Sequence, residues 1–228
     1  RRSAEHFGLP TRNHRLGYVV SHGRRIAVQR FDPPEAPRGT VVLLHGYLDH
    51  SGVHGRFVRT AISWGFRVIV YDMPGHGLSE GERANIADFR LYGKALRDVL
   101  GAVEIVPPLH LVAHSTGCCA VVDALHRQGA DRVPAELGRV VLVAPLIHSW
   151  CESPSTLGRN AVRPFLRRVP RVQRRVSHDS EFMTLLCREN PLKIRSIPLA
   201  WYDALREWQE EVKDWAPSSR RAVILQGT

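Results

Sequence analysis

Five short apolar runs, none alternating with polar residues, punctuate the chain at residues 40–44, 66–71, 109–113, 139–144 and 222–225. A strand that does not alternate is covered on both faces. Between these runs lie segments of helical spacing: 54–64, 88–106 and 116–128. In the second of these, apolar residues fall at Phe89, Tyr92, Leu96, Val99, Leu100 and Val103. Strands that alternate with helices predict an α/β fold, a mostly parallel sheet with helices on both faces. Upstream, the β-rich segments 16–20 and 25–31 flank Ser21-His22-Gly23-Arg24 and read as a hairpin.

Between 145 and 219 the rhythm breaks. This stretch carries Pro154, Pro164, Pro170, Pro191 and Pro198 and shows no sheet pattern of its own. It is too long for a simple connection and reads as a helical insertion over one end of the sheet. The expected organisation is a core at 1–145, a cap at 146–217 and a return to the core sheet at 218–228. At 228 residues the chain is long enough for one such core with an insertion. Its 43% hydrophobic and 24% charged residues argue against disorder.

The most informative segment joins a buried run to a helix: Leu109-His110-Leu111-Val112-Ala113-His114-Ser115-Thr116-Gly117. It matches the nucleophile elbow G-x-S-x-G, with Ala113 in place of the first glycine. The elbow must expose a serine hydroxyl on a strained turn, so the residues two places on either side must be small enough for strand and helix to approach. The helix that follows points its N-terminus at the site, favouring developing negative charge. A bare pentapeptide is a weak signal, and an incidental serine in a turn is the alternative; its position after the third buried run favours the nucleophile.

Two further loops sit where such a site needs them. His45-Gly46-Tyr47 follows the 40–44 run, and Asp72-Met73-Pro74-Gly75-His76-Gly77-Leu78-Ser79 follows the 66–71 run. Ligand sites in open α/β sheets lie at the carboxyl ends of the strands, so all three loops converge. The backbone N–H groups of Tyr47 and Thr116 would then form a two-donor oxyanion hole. His45 and His76 read as turn-stabilising hydrogen-bonders rather than bases. His114, beside the serine, points the other way along the turn and reads as structural.

Residues 40–145 resemble the monoacylglycerol lipase and lysophospholipase branch of the α/β-hydrolase superfamily, which is also grouped with serine aminopeptidases of the S33 type. The resemblance is carried by His45-Gly46-Tyr47 with His50-Ser51, by the loop from Asp72 to Gly81, by Asp88-Phe89 and by His114-Ser115-Thr116-Gly117. It implies Ser115 as nucleophile, Tyr47 and Thr116 as oxyanion donors, His45, Gly46, His114 and Gly117 as supporting residues, and a helical cap shaping an acyl site. Ala113 and the pair Cys118-Cys119 depart from the usual glycine-rich elbow.

The implied chemistry is a carboxylic-ester hydrolase acting on monoacylglycerols or lysophospholipids through an acyl-enzyme, without metal or cofactor. A peptidase or small-ester hydrolase of the same fold is the runner-up, and a non-catalytic binding protein of this fold is a further class. A serine needs a histidine base and an acid behind it, in the order Ser, Asp or Glu, His. After Ser115 the histidines are His126, His148 and His178, none suitably placed. The acid and histidine are therefore expected beyond Thr228, together with the last strand or strands and helix of the fold, and the 228 residues by themselves are expected to be inactive.

Partners follow from charge. The net charge of +10 admits nucleic acid or an anionic membrane, but no nucleic-acid recognition motif accompanies it. The segment 159–176 places seven arginines among Phe165, Leu166, Val169, Val172 and Val176, a pattern suited to resting on anionic lipid or to a solvated cap helix. Trp201, Tyr202, Leu205, Trp208, Val212 and Trp215 form a second helical stripe, read as core. No apolar run is long enough to span a bilayer, and the N-terminus has no signal-peptide core. Cys118, Cys119, Cys151 and Cys187 make no C-x-x-C pair and no disulfide framework. A cytoplasmic location fits best, with a periplasmic or membrane-peripheral one as the alternative.

Overall fold

The computed structural model describes residues 2–127, 137–147, 167–172 and 177–227. A short helix α1 (Arg2–His6) precedes the hairpin β1 (His14–Ser21) and β2 (Arg24–Phe31). The hairpin turns on His22 and Gly23, both at positive φ (40° and 76°), which suits the right-handed twist of the paired strands. There follow β3 (Thr40–Leu44), a 3₁₀ turn (Ser51–His54), α2 (Gly55–Ser63), β4 (Arg67–Tyr71), α3 (Arg90–Ala102), β5 (Leu109–His114), α4 (Thr116–His126) and β6 (Leu137–Val143). Then come β7 (Arg168–Pro170), α5 (Ser180–Thr184), a π-turn (Leu185–Glu189), β8 (Ser196–Pro198), α6 (Leu199–Lys213) and β9 (Val223–Leu225).

Seven strands form one sheet in the order β1-β2-β4-β3-β5-β6-β9. Strands β4, β3, β5, β6 and β9 run parallel, and the hairpin joins antiparallel through β2. Each of the five apolar runs is one of these parallel strands, but the expected cover on both faces holds throughout only for β3 and β4: β5 alternates between buried and half-buried residues, β6 is partly exposed, and β9, at the edge of the sheet, is exposed. Side chains alternate between two cores. Val42, Leu44, Ile69 and Tyr71 pack with α3, α4 and α6, whereas Leu43, Val68 and Val70 pack with α1, α2 and Leu186. A strand buried on both faces needs apolar residues throughout, which is why β3 and β4 show no alternation in sequence.

Helix α3 is shorter than its periodicity predicts. It begins at Arg90, whose amide is bonded by Asp88 Oδ1 at 2.9 Å, and stops at Ala102. Beyond it, Val106 precedes proline, which disfavours helical backbone. Its amide and carbonyl are instead both held by the Thr40 hydroxyl, at 2.8 and 2.9 Å.

The stretch after 145 does contain a sheet, contrary to the sequence expectation: β7 and β8 pair antiparallel, Arg168 opposite Pro198 and Pro170 opposite Ser196. Two strands of three residues, each ending in proline, carry too little periodicity to be read in advance. Residues 148–166 and 173–176 lie outside the described residues, and with them most of the arginine-rich segment, His148 and Cys151. Among the described residues no helix is long and apolar enough to cross a membrane.

Candidate active site

The parallel order brings the carboxyl ends of β3, β4 and β5 side by side, because Leu44 pairs with both Tyr71 and Ala113. The loops 45–54 and 72–86 and the β5–α4 turn therefore meet at one edge of the sheet. Ser115 occupies that turn at φ 51° and ψ −115°, a backbone conformation that costs a non-glycine residue about 1–3 kcal/mol and persists only when its surroundings enforce it. The surroundings do so. Its amide donates to Val143 O (2.9 Å), and its carbonyl accepts from Cys118 N (3.0 Å) and Leu146 N (3.4 Å).

The residues flanking the serine differ in what they tolerate. Ala113 is fully buried in the core shared with α3, α4 and α6. At Gly117 a Cβ would lie 2.7 Å from His45 O and 2.9 Å from Leu44 O, so only glycine allows the helix to approach the end of β3. Gly46 is equally confined, since a Cβ there would meet His114 Nδ1 at 2.8 Å and Ser115 Cβ at 3.3 Å. The His114 ring thus lies against the glycine of the neighbouring loop. The Cys118 and Cys119 thiols, unusual in an elbow, donate to backbone carbonyls on either side of the turn: Cys118 to Ala113 O on β5 (3.2 Å) and Cys119 to Leu146 O in the segment after β6 (3.1 Å). Burial pushes the Cys118 thiol up to about 12, so it stays protonated and able to donate.

The 45–54 loop is pinned residue by residue. His45 Nε2 accepts from Met73 N (2.9 Å), which leaves Nδ1 to donate to Gly46 O (2.7 Å). Burial lowers the pKa of His45, so the ring is neutral and ties the two loops together. Tyr47 donates its phenol to Ala84 O (2.8 Å), and its ring stacks on Trp201 with centroids 3.6 Å apart. Arg171 reaches Leu48 O at 3.3 Å. His50 accepts from Gly52 N (3.1 Å) and donates to Asn190 Oδ1 (3.0 Å). Asp49 faces His54 Nε2 at 3.5 Å. Burial works to raise the Asp49 pKa, but the rings of His54, His45 and His50 outweigh it and hold the carboxyl at about 2.

The 72–86 loop is organised around the buried carboxylate of Asp72, which accepts from Ser51 N (2.7 Å) and Leu78 N (2.8 Å). Gly77 approaches so closely that a Cβ would sit 2.1 Å from Asp72 Oδ2. His76 donates from Nδ1 to Pro74 O at 2.9 Å, and burial drives its pKa down to about 3. Both His45 and His76 therefore have their rings engaged in holding turns. His126 stacks on Trp215 with centroids 3.8 Å apart. Among the described residues no side chain hydrogen-bonds the Ser115 hydroxyl, and no cluster of His, Cys, Asp or Glu is placed to hold a metal ion.

A family model described as serine aminopeptidase, S33 (Hydrolase_4) matches residues 35–228. The chain belongs to this S33 hydrolase family. The human monoglyceride lipase is 30% identical over 145 residues, 60% of this chain and 45% of the lipase. A monoacylglycerol lipase of Mycolicibacterium smegmatis is 33% identical over 130 residues, 56% of this chain and 45% of that protein. The chain thus spans somewhat under half the length of these relatives. A crystal structure of a soluble variant of monoglyceride lipase from Saccharomyces cerevisiae, in complex with a substrate analog, superposes with a TM-score of 0.69 at 17% identity. That match covers 88% of this chain and 69% of the yeast chain, and it shows the shared fold.

Within this S33 fold, three features of the site escape sequence reasoning. Trp201 reads as one more core residue in a helical stripe; its stack on Tyr47 joins positions 154 apart in the chain. The pairs Asp49–His54 and His50–Asn190 likewise carry no local signature. Asn190 is buried between exposed neighbours, Glu189 and Pro191, in a polar stretch, so nothing in the local pattern marks its bond to His50.

Proposed function

We propose that this protein is a serine hydrolase that cleaves carboxylic esters of lipid-like substrates, monoacylglycerols or lysophospholipids, through an acyl-enzyme on Ser115. The observation that carries the reading is the left-handed backbone of Ser115, on the turn between β5 and α4 at the carboxyl edge of the parallel strands. Family membership and the similarity to monoglyceride lipases support the substrate class.

In this reading the Ser115 hydroxyl attacks the ester carbonyl and the carbonyl oxygen becomes an oxyanion. Two amides serve that charge: Thr116 N–H, the first of α4, and Tyr47 N–H, in the loop after β3. Among the described residues neither amide has an acceptor. The amino end of α4 adds its partial positive charge. Collapse expels the alcohol with a proton, and water then releases the fatty acid. A histidine takes the Ser115 proton and gives it to the leaving alcohol, with an acid orienting the ring. Among the described histidines at this edge, His45 and His50 use both ring nitrogens in holding the loops and His76 uses one, so the reading calls for a histidine and an acid that follow Ser115 in the order common to this fold.

The test is labelling by a fluorophosphonate of the protein expressed from its complete reading frame. Labelling of the native protein with loss in Ser115→Ala is the expected result, and equal labelling of both would refute the role of Ser115. The name of the S33 family keeps peptide substrates in view. Turnover of aminoacyl substrates in preference to a panel of monoacylglycerols and lysophospholipids would assign a peptidase instead.

A further inference from the structure

Tyr47 is held from three directions. Its phenol bonds Ala84 O at 2.8 Å, the edge of His76 meets its ring at 5.6 Å, and the indole of Trp201 covers one face at 3.6 Å with only 14° between planes. The Tyr47 phenol is pushed well above its ordinary range by burial and remains a donor. Trp201 is itself fixed. It is 2% exposed, its Nε1–H points to Tyr92 Oη on α3 (3.3 Å), and Phe89 meets it edge-on at 5.4 Å. Seven residues further along α6, Trp208 Nε1 donates to Asp123 on α4, and Gln209 holds Ile147 O just after the loop that bonds Ser115. Helix α6 therefore reaches the Tyr47 loop through Trp201, whereas Trp208 meets α4 about two turns beyond Thr116 and touches neither amide.

We propose that Trp201 is a positioning residue that sets the Tyr47 amide against Ser115. This rests on reading that amide as an oxyanion donor. The peptide that carries the Tyr47 N–H is tied at its other end, where His45 Nδ1 bonds Gly46 O at 2.7 Å, but beyond Tyr47 the chain turns at once, with Leu48 at φ 64°. A flat, buried ring on the Tyr47 face holds the residue on that second side of the peptide. Loss of one oxyanion donor lowers kcat by about 10² to 10³, and a misplacement of about 1 Å costs about 10².

The experiment compares three variants of the complete protein: Trp201→Leu, Trp201→Phe and Trp208→Phe. Each is measured for kcat and KM on a monoacylglycerol and for inhibition by a trifluoromethyl ketone analogue, whose hemiketal oxyanion uses the same donors. Trp201→Leu is expected to lower kcat by about 10- to 100-fold with KM within about twofold, and to weaken the ketone by the same factor as kcat/KM. Trp201→Phe, which keeps a flat ring on Tyr47, is expected to restore most of the loss. Trp208→Phe lowers stability through the lost bond to Asp123 and leaves kcat per folded molecule unchanged.

Trp201→Leu losing activity only in proportion to its unfolded fraction would overturn the proposal. So would a rise in KM with unchanged ketone affinity, which would make Trp201 a wall of the substrate pocket. Failure of the underlying reading has its own signature: full turnover by Ser115→Ala, whatever the Trp201 variants do.

Discussion

Gly117 and Ala113 stand at equal distances from Ser115 in sequence, yet the fold asks different things of them. Ala113 presents its methyl to a packed core, whereas a methyl at position 117 would collide with the backbone carbonyls of Leu44 and His45. A backbone carbonyl cannot rotate away as a flexible side chain can. Gly117→Ala is therefore expected to destabilise by about 1–3 kcal/mol and to slow fluorophosphonate labelling at least tenfold, because the helix carrying Thr116 must shift away from β3. Urea unfolding and labelling rates check the two effects separately. The same tightness accounts for the thiols: Cys118 and Cys119 are buried beside the elbow and donate to Ala113 O and to Leu146 O after β6, so they act as small buried hydrogen-bonders rather than nucleophiles.

At the scale of elements, α3, α4 and α6 are joined by charge as well as by apolar packing. Asp123 on α4 is fully buried. It accepts from Arg127 Nε (2.7 Å) and Trp208 Nε1 (3.0 Å), with Arg97 of α3 at 3.6 Å. Arg127 also meets Glu211 of α6, which Arg90 reaches from α3 at 2.9 Å. Helix α3 comes close enough that a Cβ on Gly93 would lie 2.2 Å from Asp123 Oδ2. Removing the acid leaves Arg97 and the Trp208 indole N–H without that partner and Arg127 with Glu211 alone. Asp123→Ala is expected to cost about 3–5 kcal/mol, and Asp123→Asn, which keeps an acceptor for Trp208, clearly less. Chemical denaturation of both variants measures the difference. A simple surface pair would give under about 1 kcal/mol in either case.

For the whole molecule, the buried histidines set an acid limit on stability. His45, His76 and His114 all have their pKa lowered by burial, His76 to about 3. Below the ordinary value near 6.5 the unfolded chain takes up protons that the folded chain refuses, so stability is complete above that pH and falls as pH drops toward the folded value. The slope reaches about 1.4 kcal/mol per pH unit for each such histidine. Asp49 adds a loss of the same sign lower down, as pH falls from its ordinary 3.8 toward about 2. The urea midpoint is expected to fall steeply between pH 7 and 5. His76→Asn, whose amide N–H still suits Pro74 O, should flatten that fall; an unchanged pH profile would show that His76 is not buried neutral.

Much of this was legible from the order of residues alone. Five unalternating apolar runs announced the five parallel strands, although burial on both faces holds throughout only for β3 and β4 and β9 is exposed, and the alternation with helical spacing left a mostly parallel sheet as the consistent arrangement. The segment from Leu109 to Gly117 marked the strand-to-helix turn, because small residues around a serine are a local requirement written locally. Periodicity says which face of a helix is buried but not what buries it. Hence the stripe on α6 was readable as core, while its division of labour, Trp201 on Tyr47 and Trp208 on Asp123, was not. The same holds for His50 with Asn190 and for the short pairing of β7 with β8. These contacts join residues far apart in the chain and rest on the three-dimensional packing of side chains, which the local sequence pattern does not contain.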